Sequence, residues 1–429
     1  MAANPPQPSP AAIAAGHVRE CPDCGLFQTV PKLRPGLVAD CPRCGAMLRR
    51  RRRNTFTVIA ALMLAGLALF SITVSTPLMG MRFAGREQLT TLPSLPLAFE
   101  RFGMWELSLV VLAFTMIAPL AKLVLTAGVL LGLRAEVETA SLTAMARARS
   151  WLTPWAMTEV FLLGLFVAYT RLSVIATVEV GVALYAMGGL MLVMVASDAW
   201  LDEHAMWEAI GRRSQVRPRR TGPLIGCDTC GEVAHGEPGD PCPRCESHLR
   251  VRKPEPVARC GALLLAAAAL YIPSNFLPVM TLIRLGRGYP STILGGVREL
   301  IEYRMWPLAL LVFVASVAVP VVKLVLLAYM LISTQRRSNV RLRQRTRLYR
   351  LVDVIGRWSM IDVFMISILT ALVRMGQLAS VVPGPGAVCF AGVVILTMLA
   401  AFSFDPRVMW DAAEERAPYA PAAPAEAPA

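Results

Sequence analysis

The sequence predicts an all-α polytopic membrane protein built as a tandem duplication. Each copy is a small four-cysteine ribbon followed by a four-helix transmembrane module, giving about eight transmembrane helices in total. Three observations carry this reading. The 429 residues are 55% hydrophobic, with a mean hydropathy of +0.53, too apolar for an ordinary soluble domain. Eight of the ten cysteines fall into four Cys-x-x-Cys pairs. The chain also matches itself at a nearly constant offset.

That offset is 201 where Cys41-Pro-Arg-Cys44 recurs as Cys242-Pro-Arg-Cys245. It also relates Pro77 to Pro278, Trp105 to Trp306, Pro119 to Pro320 and Lys122 to Lys323. After a two-residue insertion the offset is 203, relating Trp155 to Trp358, Met157 to Met360, Glu159 to Asp362 and Arg171 to Arg374. Asp202…Trp207-Glu208 then matches Asp405…Trp410-Asp411.

In chain order, residues 1–17 read as a disordered Pro/Ala-rich extension without the apolar core of a cleavable signal peptide. Residues 18–53 make the first ribbon and 54–211 the first transmembrane module, with apolar runs at 56–76, 105–131, 154–176 and 178–198. A basic linker at 212–223 leads to the second ribbon, 224–253. The second module, 254–411, has runs at 259–279, 306–332, 353–375 and 386–404. Residues 412–429 read as a disordered Pro/Ala tail. Runs of about 20 residues match a hydrocarbon core of about 30 Å.

The net charge is +14, and arginines cluster at 49–53, 212–220 and 336–350, beside the spans. Four spans per copy put all these clusters on one side, which the positive-inside rule makes the cytoplasm. Ribbons and both termini are then cytoplasmic, the loops at 77–104 and 280–305 face outward, and the repeat is parallel. Nucleic acid is the rival partner for a basic chain, but here the charge follows membrane edges.

The ribbons pair Cys21 and Cys24 with Cys41 and Cys44, and Cys227 and Cys230 with Cys242 and Cys245. Two such turns bring four thiolates to one tetrahedral metal, so each ribbon is expected to hold a structural Zn²⁺. Iron in a rubredoxin-like site is the competitor, because Cys-Pro-x-Cys-Gly knuckles serve both metals. A disulfide is disfavoured in a reducing compartment. His235 and His248 are not needed as ligands, and Cys260 and Cys389 read as packing residues.

The stretch "VPVVKLVLLAYM" puts Lys323 in the middle of a span, and "APLAKLVLTAGV" does the same with Lys122. A charge at that depth needs a partner or water. The expected partner is Asp362 on the next span, with Glu159 as its equivalent for Lys122. Two readings stand beside each other: an ion pair that orients two helices, and a polar relay or substrate-handling site. Snorkelling to the membrane edge is a third. Ser316, Ser359 and Thr397 lie on faces that extend the second cluster, where the first copy has Thr115, Ala156 and Met194. Pro119 and Pro320 each free a backbone carbonyl, making a hinge or a kink.

Paired ribbons each followed by four spans, with "VPVVKLVLL", "WSMIDVFMISIL" and "FDPRVMWD" in the second half, resemble the paraquat-inducible protein A family (PqiA/LetA-like) over residues 18–411. The resemblance implies an inner-membrane protein with cytoplasmic zinc ribbons. It implies partnership with MCE-domain proteins that form periplasmic lipid tunnels, and phospholipid as the substrate. The family's polar network maps onto Ser316, Lys323, Ser359, Asp362 and Thr397; the first module departs from it, with "DEHAMWE" in place of "DPRVMWD".

The expected function is therefore an inner-membrane lipid-transport component that loads or extracts phospholipid for a periplasmic tunnel and supports envelope integrity. A membrane scaffold recruiting partners through its ribbons, and a small-solute or proton-coupled transporter, are the alternatives. No Walker A sequence, catalytic triad or hydrolase-type metal cluster is present, so an enzyme is not expected.

Overall fold

The computed structural model describes residues 18–31, 33–51, 56–83, 86–135, 137–173, 176–284, 287–373 and 379–416. The extension at 1–17 and Arg374 lie outside them. The Arg407–Arg416 helix takes in 412–416 of the expected tail, anchored by buried Trp410 and by Asp411 paired with Arg252 at 2.7 Å, and the rest of the tail lies outside the described residues.

Among the described residues eight helices are long and apolar enough to cross a membrane: Phe56–Ser75, Trp105–Arg134, Thr139–Leu172, Val182–Trp200, Pro256–Phe276, Trp306–Gln335, Leu342–Leu372 and Pro385–Ser403. The chain is a multi-pass membrane protein with two Cys₄ clusters in a duplicated plan. Trp105 and Trp306 at one end of the spans, and Trp151, Trp200 and Trp358 at the other, are exposed, as aromatic belts are at the two interfaces.

The second span of each copy is helical throughout but changes winding. Ala113–Ile117 and Val314–Ala318 are π-turns, closed by bonds from Ala118 N–H to the Ala113 carbonyl and from Val319 N–H to the Val314 carbonyl. Pro119 and Pro320 follow directly. Proline has no N–H for the carbonyl four residues back and its ring collides with it. Widening the preceding turn by one residue relieves both problems. Neither span breaks into separate helices here.

The sequence reading did not anticipate the two small sheets on the side away from the ribbons. Pro77–Phe83 pairs antiparallel with Arg86–Thr91 and with Thr177–Val180; Met280–Arg284 pairs likewise with Arg287–Ser291 and Ala379–Pro383. Each sheet staples the loop after span one to the loop before span four. The joint is tight at Gly181 and Gly384, whose N–H groups donate to the carbonyls of Leu78 and Val279 at 3.0 and 2.9 Å. A Cβ at either glycine would sit 2.0 or 2.2 Å from the Pro77 or Pro278 carbonyl oxygen, so no larger residue fits.

The two modules meet along one helix. In the Leu342–Leu372 span 78% of the apolar window is buried, against 22% in Pro256–Phe276. Every residue of Ile361–Leu372 is buried. It packs against Thr158–Leu172 of the first module, where Phe161 and Phe364 meet edge-on at 5.4 Å. Gly164 permits the approach: a Cβ there would lie 3.1 Å from Phe364 Cβ and 3.2 Å from the Ile361 carbonyl oxygen.

Candidate functional site

The ribbons are paired β-turn knuckles. Gly25, Gly45 and Gly231 take left-handed backbone angles after three of them, and Glu246 does so after the fourth, at φ 58°. Each set of four sulfurs lies within 4.8 Å. The closest pairs are Cys21–Cys44 at 3.4 Å, Cys24–Cys41 at 3.7 Å, Cys227–Cys245 at 3.5 Å and Cys230–Cys242 at 3.7 Å. A tetrahedral ion with bonds of about 2.3 Å needs sulfurs about 3.8 Å apart, so the eight cysteines fit two metal ions.

The ribbons are crossed relative to the chain. The first ribbon's cysteines share a core with Leu327, Met330, Val352, Met409 and Trp410 of the second module. Those of the second ribbon join a larger core that spans both modules and includes Leu201, Met206, Trp207 and Ile210 at the end of the first. Between the ribbons, Arg19 donates to the Gly231 carbonyl at 2.7 Å and Gly226 N–H donates to Glu20 at 3.0 Å.

Two matched junctions lie under the ribbons. Arg407 is buried and pairs with Asp405 at 2.9 Å, Glu20 at 3.1 Å and Asp228 at 2.9 Å. Burial pushes the Asp405 carboxyl up, but the hydrogen bonds and charge of Arg407 outweigh that and hold it below its ordinary value. In the first copy the Arg407 position is His204. Burial, together with the charges of Arg19, Arg49 and Arg244, pushes this imidazole down to about 3, so it is neutral.

Inside the second module, Lys323 is 1% exposed and donates to Thr397 Oγ1 at 2.7 Å. The Gly356 backbone leaves room for its ammonium, which lies 3.4 Å from where a Cβ would be. Asp353, one turn before Gly356, is the carboxylate whose charge it feels. Asp362 does not meet it: among the described residues no ion pair joins them, and Asp362 Oδ1 is buried with no hydrogen-bond partner. Asp362 faces Ser316 and the charge of Arg171 across the seam. The expected Lys323–Asp362 pair is thus corrected: the lysine turns toward the fourth span and the aspartate toward the second span and the other module. Ser316, Ser359 and Thr397 each donate to their own helix, at 2.6, 2.8 and 2.9 Å to the carbonyls of Val312, Gly356 and Val394.

The first module is wired differently. Lys122 pairs with Asp198 at 2.6 Å, not with Glu159. Arg149 joins the same carboxylate at 3.5 Å and holds Glu203 at 3.0 Å and Thr126 at 3.1 Å. Asp198 lies on the fourth span, as Thr397 does, so both lysines turn the same way; its position in the second copy is Ala401. Among the described residues the first lysine bonds a carboxylate and the second a hydroxyl.

On the side of the sheets, a cavity of about 880 Å³ opens between the modules. Met81, Met280, Leu282, Leu369, Val373 and Val381 make it apolar, and Arg171 and Glu299 face it. These two form an ion pair across the modules at 3.2 Å.

A family model described as "Paraquat-inducible protein A" matches residues 56–211 and 257–414. The chain is 33% identical to "Intermembrane transport protein PqiA" of Escherichia coli (strain K12) over 410 residues, covering 93% of this chain and 96% of that one. It is 29% identical to "Lipophilic envelope-spanning tunnel protein A" of the same strain over 434 residues, covering 96% and 98%. It is 24% identical to a "Probable intermembrane transport protein" of Haemophilus influenzae over 410 residues, covering 92% and 95%. No solved structure matches significantly.

Proposed function

Because the chain belongs to the paraquat-inducible protein A family, we propose that it is an inner-membrane component of intermembrane lipid transport. It loads or extracts phospholipid for a periplasmic MCE-domain tunnel, and does not act as an enzyme. The transport names of its relatives support the class of function. The observation that carries the reading to particular residues is the separation of Lys323 from Asp362. A buried carboxylate oxygen without a partner is costly in a membrane, and such groups are kept where a proton, an ion or a substrate passes. In the first module Lys122 is likewise apart from Glu159 but meets Asp198, and among the described residues no buried carboxylate oxygen there lacks a partner.

In this reading the seam cavity takes the apolar part of the lipid, with the Arg171–Glu299 pair beside it. Asp362, Lys323, Ser316, Ser359 and Thr397 form the polar network that changes state during transport. The ribbons and both termini face the cytoplasm and the sheets face the periplasm, toward the tunnel protein. Zn²⁺ fills both cysteine clusters as a structural ion: four thiolates leave no open coordination position, and ribbons this short need a metal to fold.

The test is complementation of a strain lacking the native protein, with Lys323→Leu, Asp362→Leu and the double variant, and membrane abundance measured in the same cells. Transport requires that all three accumulate and fail to complement. Complementation by both single variants would leave a scaffold that recruits partners through its ribbons.

A further inference from the structure

We infer that the metal site of each ribbon secures the membrane module of the other copy, with Arg350 as the positioning residue on the first ribbon's side. Each ribbon precedes its own module in the chain, yet the first ribbon's cysteines share a core with residues of the second module, and the second ribbon's core reaches the helix that ends the first. Arg350 belongs to the Leu342–Gly356 helix of the second module. Its guanidinium donates to Asp23 Oδ2 at 2.6 Å, between the ligands Cys21 and Cys24. It also donates to the carbonyls of Gly45 at 3.0 Å and Cys44 at 3.3 Å, and approaches Cys44 Sγ at 3.6 Å. A metal bound by the four cysteines would hold these groups in this arrangement. Two turns further along the same helix, Gly356 backs the Lys323 ammonium. One rigid helix therefore joins the first metal site to the lysine pocket.

The second ribbon meets the first module at a different helix. Arg244, between the ligands Cys242 and Cys245, packs on Gly211 at the end of the Glu203–Gly211 helix of the first module. Ser214 donates to Glu246 at 3.1 Å. Uncrossed contacts are also present: Arg49–Glu208 at 3.3 Å, Asp228–Arg407 at 2.9 Å and, past the last knuckle, Arg252–Asp411 at 2.7 Å and Lys253 Nζ to the Phe402 carbonyl at 2.6 Å. The Arg49–Glu208 pair, with its carboxylate 38% exposed, contributes little beside a buried knuckle. Coupling between a bound ion and a helix is reciprocal: if the metal holds the helix, the helix holds the metal.

The inference rests on metal binding by both clusters, and the experiment separates the two. The full-length chain is purified in detergent, its Zn²⁺ content measured, and Zn²⁺ release to a chelator timed. Arg350→Ala leaves all eight cysteines in place, so loss of ligands cannot explain its effect. One of the two Zn²⁺ equivalents should leave faster by about tenfold, within the usual range for coupled sites, with Arg350→Lys between the variant and the native chain. Release of both at native rates overturns the coupling. Absence of bound Zn²⁺ in the native chain overturns the metal reading instead. Amide exchange is the second measurement. Cys41→Ser with Cys44→Ser should raise exchange in residues 342–356 and spare 203–211, and Cys242→Ser with Cys245→Ser the reverse. Loosening of each ribbon's own module, or equal loosening of both, overturns the crossing.

Discussion

Lys323 and Asp362, on adjacent spans of the second module, point away from each other: the ammonium bonds Thr397 at 2.7 Å, and one oxygen of the carboxylate is buried without a partner. In the first module Lys122 and Asp198 are in contact at 2.6 Å. Residues that share no partner lose stability additively, and residues in contact do not. A double-mutant cycle on Lys122→Leu and Asp198→Leu should therefore give a coupling of about 1 kcal/mol or more, and the Lys323/Asp362 cycle a value near zero. The readout is urea or thermal unfolding in detergent. A large coupling for the second pair would mean that the two charges meet in solution.

Gly164 marks the closest approach of the modules. Its replacement by Val overfills the seam against Phe364 and the Ile361 backbone, which cannot retreat as a flexible side chain can. The expected loss is about 1–3 kcal/mol, seen as a lower unfolding midpoint. Ala should fall between Gly and Val. A Val variant of native stability would show that the seam is not packed in this register.

His204 provides a pH dependence with a definite sign. Burial and three arginines hold its imidazole down to about 3, against about 6.5 in an unfolded chain. The unfolded chain therefore takes up this proton first. The contribution is present above about pH 6.5 and is lost as pH falls toward 3. Thermal unfolding across that window should show the native chain losing more stability than His204→Gln, a comparison that cancels acid release of the metals. Equal slopes would mean that the ring is solvated.

Arg407 is the opposite case, a buried cation among three carboxylates. Arg407→Ala removes the buried cation from Asp405 and leaves Glu20 with Arg252 and the Gly226 N–H. It should cost about 3 kcal/mol or more, and Arg407→Lys less. Chymotrypsin digestion of membranes reports this as faster cleavage near Trp410. A neutral Ala variant would show that water replaces the guanidinium.

Much of this architecture is legible in the sequence, because the duplication prints each feature twice. The cysteine spacing and the apolar runs are local patterns, and local patterns survive reading along the chain. The lysine partners were not legible for the same reason. Glu159 and Asp362 repeat at the common offset and so looked like the natural counterparts, whereas Asp198 has Ala401 at its equivalent position and drew no notice. Which carboxylate a lysine reaches depends on how the helices are rotated, and matching offsets carries no information about rotation. The sheets escaped because one strand of each, Thr177–Val180 or Ala379–Pro383, comes from about 100 residues along the chain and is too short to announce itself. The crossing of the ribbons left no trace in the sequence at all, since a knuckle has the same residues whichever surface it rests on.

The π-turns at Ala113–Ile117 and Val314–Ala318 bear on how the second span of each module can evolve. A widened turn holds one residue more than the regular winding would, so it acts as a phase shifter in the helix. If the turn were wound regularly with that residue kept, everything beyond it would swing by about 100°. Lys323 would then face a different neighbour, with its chemistry unchanged and its address lost. The proline fixes the position of that extra residue, and the extra residue sets the direction in which the lysine points.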